Sequence, residues 1–132
     1  MPAFDAIIFK KKGEKRLVTL ILDEGESILE SVKQGMKENN FPECKIEGMT
    51  GKIKQGMINF FVGNSYKSKE LFDTDVFLAS GHFKLSGDEI WGSMNISINP
   101  KHPFTGTLVR GTASNGLEVK LSYIELIEQE KK

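Results

Sequence analysis

Residues 90–99 read Ile90-Trp91-Gly92-Ser93-Met94-Asn95-Ile96-Ser97-Ile98-Asn99, and their alternation decides the fold class. Ile90, Gly92, Met94, Ile96 and Ile98 point one way, and Trp91, Ser93, Asn95, Ser97 and Asn99 point the other. A period of two sustained over the whole stretch is that of a strand with one buried face. The second face is unusual, because it sets short Ser and Asn side chains beside the only Trp of the chain. Such a row fits a crowded place that still needs hydrogen bonds, either a pocket floor or a subunit interface.

Outward from this stretch, more strands follow. Ser86-Gly87-Asp88 is a hairpin turn that joins it to residues 76–85. There Phe77, Ala79, Gly81, Phe83 and Leu85 share one face, and Val76, Leu78, Ser80, His82 and Lys84 the other. Downstream, residues 99–103 form a loop and residues 105–113 a strand. Asn115-Gly116 is the strongest short hairpin signal, leading into a final strand over 117–127. Upstream, strands are expected over 45–49 and 57–62, with Gly48, Gly51 and Gly56 marking bulges or close backbone approach. Residues 66–71 are a weaker strand, and Asp73-Thr74-Asp75 a turn. Residues 4–10 and 16–22 are expected to pair as a hairpin around a loop that contains Gly13.

One segment carries a helical period instead. Asp23 or Ser27 caps it, with Glu26 or Glu30 as reciprocal partner. Ile28, Leu29, Val32 and Met36 form its apolar stripe. Gly35 inside it marks close packing against a sheet, and Asn39-Asn40-Phe41-Pro42 ends it. One principal amphipathic helix among seven or eight strands predicts an α+β fold with a mainly antiparallel β-sheet, as a single domain over residues 1–132.

Lys+Arg and Asp+Glu each total 18, so binding of nucleic acid by bulk charge is not supported, although a local basic patch remains open. Arg16 and Arg110 are the only arginines, which counts against direct base readout. Cys44 is the only cysteine, so no disulfide forms within the chain, and it reads as an ordinary half-buried thiol. No secretory signal and no membrane-spanning run is apparent, and the expected location is cytoplasmic.

The chemistry-bearing inventory is thin. There is no phosphate loop, no nucleophile elbow and no His-Glu-x-x-His pair. No catalytic residue, cofactor or metal is assigned, and His82 and His102 read as a strand and a loop histidine. The candidate ligand pocket comprises Trp91, Ser93, Asn95, Thr107 and Arg110. For Arg110, pairing with Glu118 across the Asn115-Gly116 hairpin is the plain reading and anion binding the sharper one. The candidate nucleic-acid segment is Lys10, Lys11, Lys12, Lys15 and Arg16. It holds the densest positive charge but has no aromatic among its cations.

The order of these segments resembles the plants-and-prokaryotes conserved (PPC) domain. The resemblance runs through LVTLILDEGESILESVKQGMKENNF (17–41), KIEGMTGKIKQGMINFF (45–61), VFLASGHFKLSGDEIWGSMNISI (76–98) and FTGTLVRGTASNGLEVKL (104–121), about residues 16–126 in all. It implies a mainly antiparallel α+β protomer and a homotrimer. It also implies a DNA-associated role, a label that comes largely from plant members with a separate AT-hook. This chain has no Arg-Gly-Arg core. Many prokaryotic members place a His-x-His pair and a third His at metal-ligand positions. The matching positions here are Ser93, Asn95 and Thr107, which are poor zinc ligands. The resemblance therefore points to a homotrimer without that metal site, with DNA as one possible partner. A small molecule in a polar pocket near the subunit interface is the alternative.

Overall fold

The computed structural model describes residues 12–99, 101 and 104–127. The expected strand over 4–10, His102 and the last five residues lie outside them. The elements run β1 (Lys12–Leu22), α1 (Ile28–Glu38), β2 (Glu43–Val62), β3 (Ser65–Ser86), β4 (Glu89–Ile98), β5 (Phe104–Ala113) and β6 (Leu117–Ile127).

Helix α1 is built as its sequence dictates. Of the two expected caps Ser27 is the one used, its Oγ accepting from the Glu30 amide at 3.3 Å, while in the preceding turn the Asp23 amide donates to Glu26 Oε1 at 2.7 Å. Ile28, Val32 and Met36 are fully buried and Leu29 is half-buried. A Cβ on Gly35 would lie 3.1 Å from Leu20 Cδ2, so the helix rests against β1 at that glycine. Asn40, at φ 57°, and the bond from the Phe41 amide to the Met36 carbonyl end the helix. It is not long and apolar enough to cross a membrane.

The sheet is antiparallel throughout, in the order β1-β6-β2-β3-β4-β5, and β5 returns to pair with β2. Strands β2, β3, β4 and β5 therefore form a closed ring of pairings. The fold is α+β with a mainly antiparallel sheet. Ile53, Ile58, Met94, Ile96, Val119 and Leu121 from the strands meet α1 in one apolar core, all fully buried.

Several expectations are corrected by this pairing. Residues 45–49 and 57–62 are one strand, β2, bent rather than broken. Its first half lies between β6 and β3, and its second half between β5 and β3. Register shifts at Ile46/Gly48, Ile53/Gln55 and Met57/Ile58 take up the bend. A Cβ on Gly56 would stand 2.8 Å from the Arg110 carbonyl, the close approach its glycine permits. Asp73-Thr74-Asp75 stays inside β3 as a bend at Asp73, at φ 46°, because β2 pairs on both sides of it. The tight turn is instead Gly63-Asn64, between Val62 and Ser65.

Asn115-Gly116 is a turn but not a hairpin. The Leu117 amide bonds the Ser114 carbonyl, while β5 and β6 each pair with a different half of β2. Gly13 lies within β1, which pairs with β6 from Lys12 onward, so the expected loop there is strand. Merging these segments reduces the expected count to six strands among the described residues. Val76 is 6% exposed rather than outward-facing, because the register shift between it and Leu78 turns it inward. Leu78 stays 61% exposed.

Candidate functional site

Antiparallel partners share a face of the sheet, so the register reads out the face that α1 does not cover. One row across it is Leu17, Ser122, Lys45, His82 and Ser93. The next is Ser80, Asn95, Thr107, Asn59 and Ser68. The small polar groups of the second row bond one another. Thr107 Oγ1 donates to Asn95 Oδ1 at 2.8 Å, and Ser68 Oγ to Asn59 Oδ1 at 2.6 Å. Beside them, the buried Ser97 hydroxyl bonds Thr105 at 2.8 Å.

The face thus brings Trp91, Ser93, Asn95 and Thr107 together. Arg110 stands one row further along, opposite Met57, which is opposite Glu70. It makes no pair with Glu118. Its Nη1 lies 3.6 Å from Met57 Sδ, and it borders a separate cleft of about 290 Å³ with Gln55, Glu70, Phe72 and Thr112. Glu118 lies on β6, opposite Ile21 and Thr50.

Large apolar side chains surround the polar rows. Trp91 and Leu78 are more than 60% exposed, as are Phe61, Leu17 and Ile21, with Tyr66 and Ile124 close to that value. All lie on this same face by strand alternation. Phe61 and Tyr66 pack together at 4.6 Å between ring centroids. Exposed apolar groups gathered on one sheet face mark an interaction surface.

His82 is a strand histidine on β3, as its alternation suggests. It sits directly opposite Ser93, and its Nε2 is 2.8 Å from Glu43 Oε2. A cleft of about 490 Å³ opens beside it, bordered by Lys15, Glu43, Lys45, Glu47 and Ser122. The buried Ser122 hydroxyl donates to Glu47 Oε2 at 2.5 Å, and Lys15 Nζ lies 3.4 Å from the same oxygen. Ser122, then Lys15, hold the Glu47 carboxyl below its ordinary value. Lys54 does the same for Glu24, and Lys37 for Asp88. These are exposed pairs, so each effect is screened.

The sign follows from the lowered values. The carboxylates favour the folded state above the ordinary carboxylate range, and that contribution is lost as pH falls through the lowered values. The urea midpoint is expected to hold from neutrality to about pH 5 and then decline below about pH 4. Ser122→Ala should move the Glu47 titration upward, read by NMR of its side-chain carboxyl.

Cys44 is buried, and desolvation pushes its thiol up to about 11, so it is protonated and unreactive at neutral pH. Of the basic segment, Lys10, Lys11 and the side chain of Lys12 lie outside the described residues. Lys15 and Arg16 lie on β1, not in a loop. Arg16 is paired with Glu125 at 2.8 Å and Glu14 at 3.4 Å, and Lys15 with Glu47. Carboxylates thus compensate both described cations. Among the described residues, no group of three His, Cys, Asp or Glu side chains is placed to hold a metal ion.

No family model matches the chain, and no curated relative does. Solved structures do match. A plant- and prokaryote-conserved protein from Pyrococcus horikoshii is 23% identical, with TM-score 0.69, over 92% of this chain and 87% of that one. A metal-containing protein from Archaeoglobus fulgidus is 16% identical, with TM-score 0.70, over 86% of this chain and 84% of that one. A candidate DNA-binding protein from Ralstonia eutropha is 11% identical, with TM-score 0.62, over 84% of this chain and 78% of that one. The chain has the fold of a PPC protein.

Proposed function

We propose that this chain is a homotrimeric, DNA-associated protein of PPC-like fold that assembles through the uncovered face of its sheet. The reading is carried by the fold it shares with a PPC protein and with a candidate DNA-binding protein over more than four-fifths of its length. The exposed Trp91, Leu78, Phe61 and Tyr66 support assembly, since leaving them in water forgoes the stabilisation of burying large apolar side chains. In this reading Asn95 and Thr107, bonded to each other, form a polar floor beside Ser93 rather than a set of metal ligands. The lone cysteine, buried and reduced, suits a cytoplasmic protein.

Duplex DNA should be retarded in a mobility-shift assay at low ionic strength, and the shift should weaken steeply with salt. No shift at micromolar protein would overturn the DNA-associated part of the reading.

A second reading is favoured by one observation, the cleft of about 490 Å³ beside His82, which is lined by Lys15, Glu43, Lys45, Glu47 and Ser122 and by none of Trp91, Ser93, Asn95, Thr107 or Arg110. Pockets form readily at subunit borders. A small polar molecule held there would raise the melting temperature of the intact assembly.

A further inference from the structure

Residues 61–70, at the end of the long β2–β3 hairpin, are all exposed, which makes this arm the most open segment among the described residues. One side of the arm carries Phe61 and Tyr66 and belongs to the assembly face. The other side differs in kind. On it, Lys67 pairs with Phe60 and Lys69 with Ile58. Phe60 is half-buried and meets Phe104 edge-on, at 4.4 Å between centroids and 76° between planes. Lys101 precedes Phe104 in the turn after β4.

Charge on this side is uncompensated. Neither Lys67 nor Lys69 makes an ion pair or hydrogen bond with any described residue. Glu70, the nearest acid in the chain, points to the opposite side, in the row of Met57 and Arg110. The same side of β2 (Gly56, Ile58, Phe60, Val62) and of β5 (Phe104, Gly106, Leu108) contributes no carboxylate. This contrasts with Lys15 and Arg16, whose charges Glu47, Glu14 and Glu125 answer. Alternate strand positions place Lys67 and Lys69 about 7 Å apart, comparable to the spacing of neighbouring phosphates on one strand.

We propose that this side of the arm binds single-stranded nucleic acid, with a base stacked on Phe60 and phosphates on Lys67 and Lys69. Lysines without carboxylates around an aromatic ring suit a single strand, because its unpaired bases offer their faces, which a duplex keeps stacked. The proposal rests on the nucleic-acid reading above and adds to it the surface and the strand form.

Fluorescence anisotropy of a labelled oligothymidylate, beside a duplex of equal length, tests it on the full chain. The oligothymidylate should bind more tightly than the duplex. Lys67→Glu with Lys69→Glu should weaken binding by at least about tenfold and flatten the salt slope by about 1.4, at about 0.7 per phosphate lost. Phe60→Leu, which keeps an apolar group against Phe104, should weaken binding by about tenfold with the slope unchanged. Duplex binding that neither variant affects, with no preference for the single strand, overturns this proposal and leaves the broader reading standing. No binding of either nucleic acid overturns both. If the lysine variants change the light-scattering mass and not the binding, the arm contacts a second copy of the chain and the proposal falls.

Discussion

Gly92→Ala is expected to lower the unfolding free energy by about 3 kcal/mol or more, the sum of two separate costs. Gly92 has φ +133°, a conformation that L side chains rarely adopt. A Cβ there would also stand 2.0 Å from the His82 carbonyl oxygen and 3.0 Å from Phe83 Cα. Both are backbone atoms of the partner strand, so relief requires moving β3 away from β4. That movement would break the register that sets His82 against Ser93 and Ser80 against Asn95. Gly87→Ala is the control. Gly87 also has positive φ, +62°, but nothing lies within 4 Å of its added Cβ. Its cost should stay near 1 kcal/mol, from backbone strain alone. Urea denaturation of the two variants checks the contrast, and a Gly92→Ala midpoint equal to that of Gly87→Ala would contradict the packing account.

Trp91→Glu is the second large expected effect, and it should act on the proposed assembly rather than on folding. Trp91 is 64% exposed within the protomer and opposes Lys84 on β3, so little of the core depends on it. At the centre of an interface, a buried Trp typically contributes about 2–4 kcal/mol, and burying a carboxylate in its place adds a desolvation cost. Association should weaken by about 30-fold to 1,000-fold. Light scattering at micromolar concentration should then report single chains that keep the circular dichroism of the parent. A variant of unchanged mass would remove Trp91 from the interface.

The parts of this fold that were legible in the sequence are those fixed by local chemistry. The Ser27 cap, the Ile28, Val32 and Met36 stripe and the alternation of residues 90–98 each follow from spacing along one element, and each is present. Long-range pairing was harder to read. Gly48 and Gly56 mark a bulge and a close backbone approach, as their spacing suggests, but nothing local tells that residues 45–49 and 57–62 are one strand. β2 runs through them because it has partners on both edges. Asn115-Gly116 carries the chemistry of a tight turn, but nothing local tells whether the flanking strands meet each other or a third strand.

Of the candidate site, the row of Ser93, Asn95 and Thr107 was legible from alternation. His82 was within reach too. Counting back from the Ser86-Gly87-Asp88 turn, with Ser86 opposite Glu89, places His82 against Ser93. The Lys67 and Lys69 surface was hidden, because it depends on which side of the arm Glu70 takes and on Phe104 arriving from a distant strand.

The sheet face that carries the exposed Trp91, Leu78, Phe61 and Tyr66 is the proposed assembly surface. Multi-angle light scattering on the unmodified chain, run over a range of micromolar concentrations, tests it. The account predicts a mass three times that of the 14.8 kDa chain. A constant mass of one chain would contradict it, because those side chains would then lie open to water with nothing to cover them.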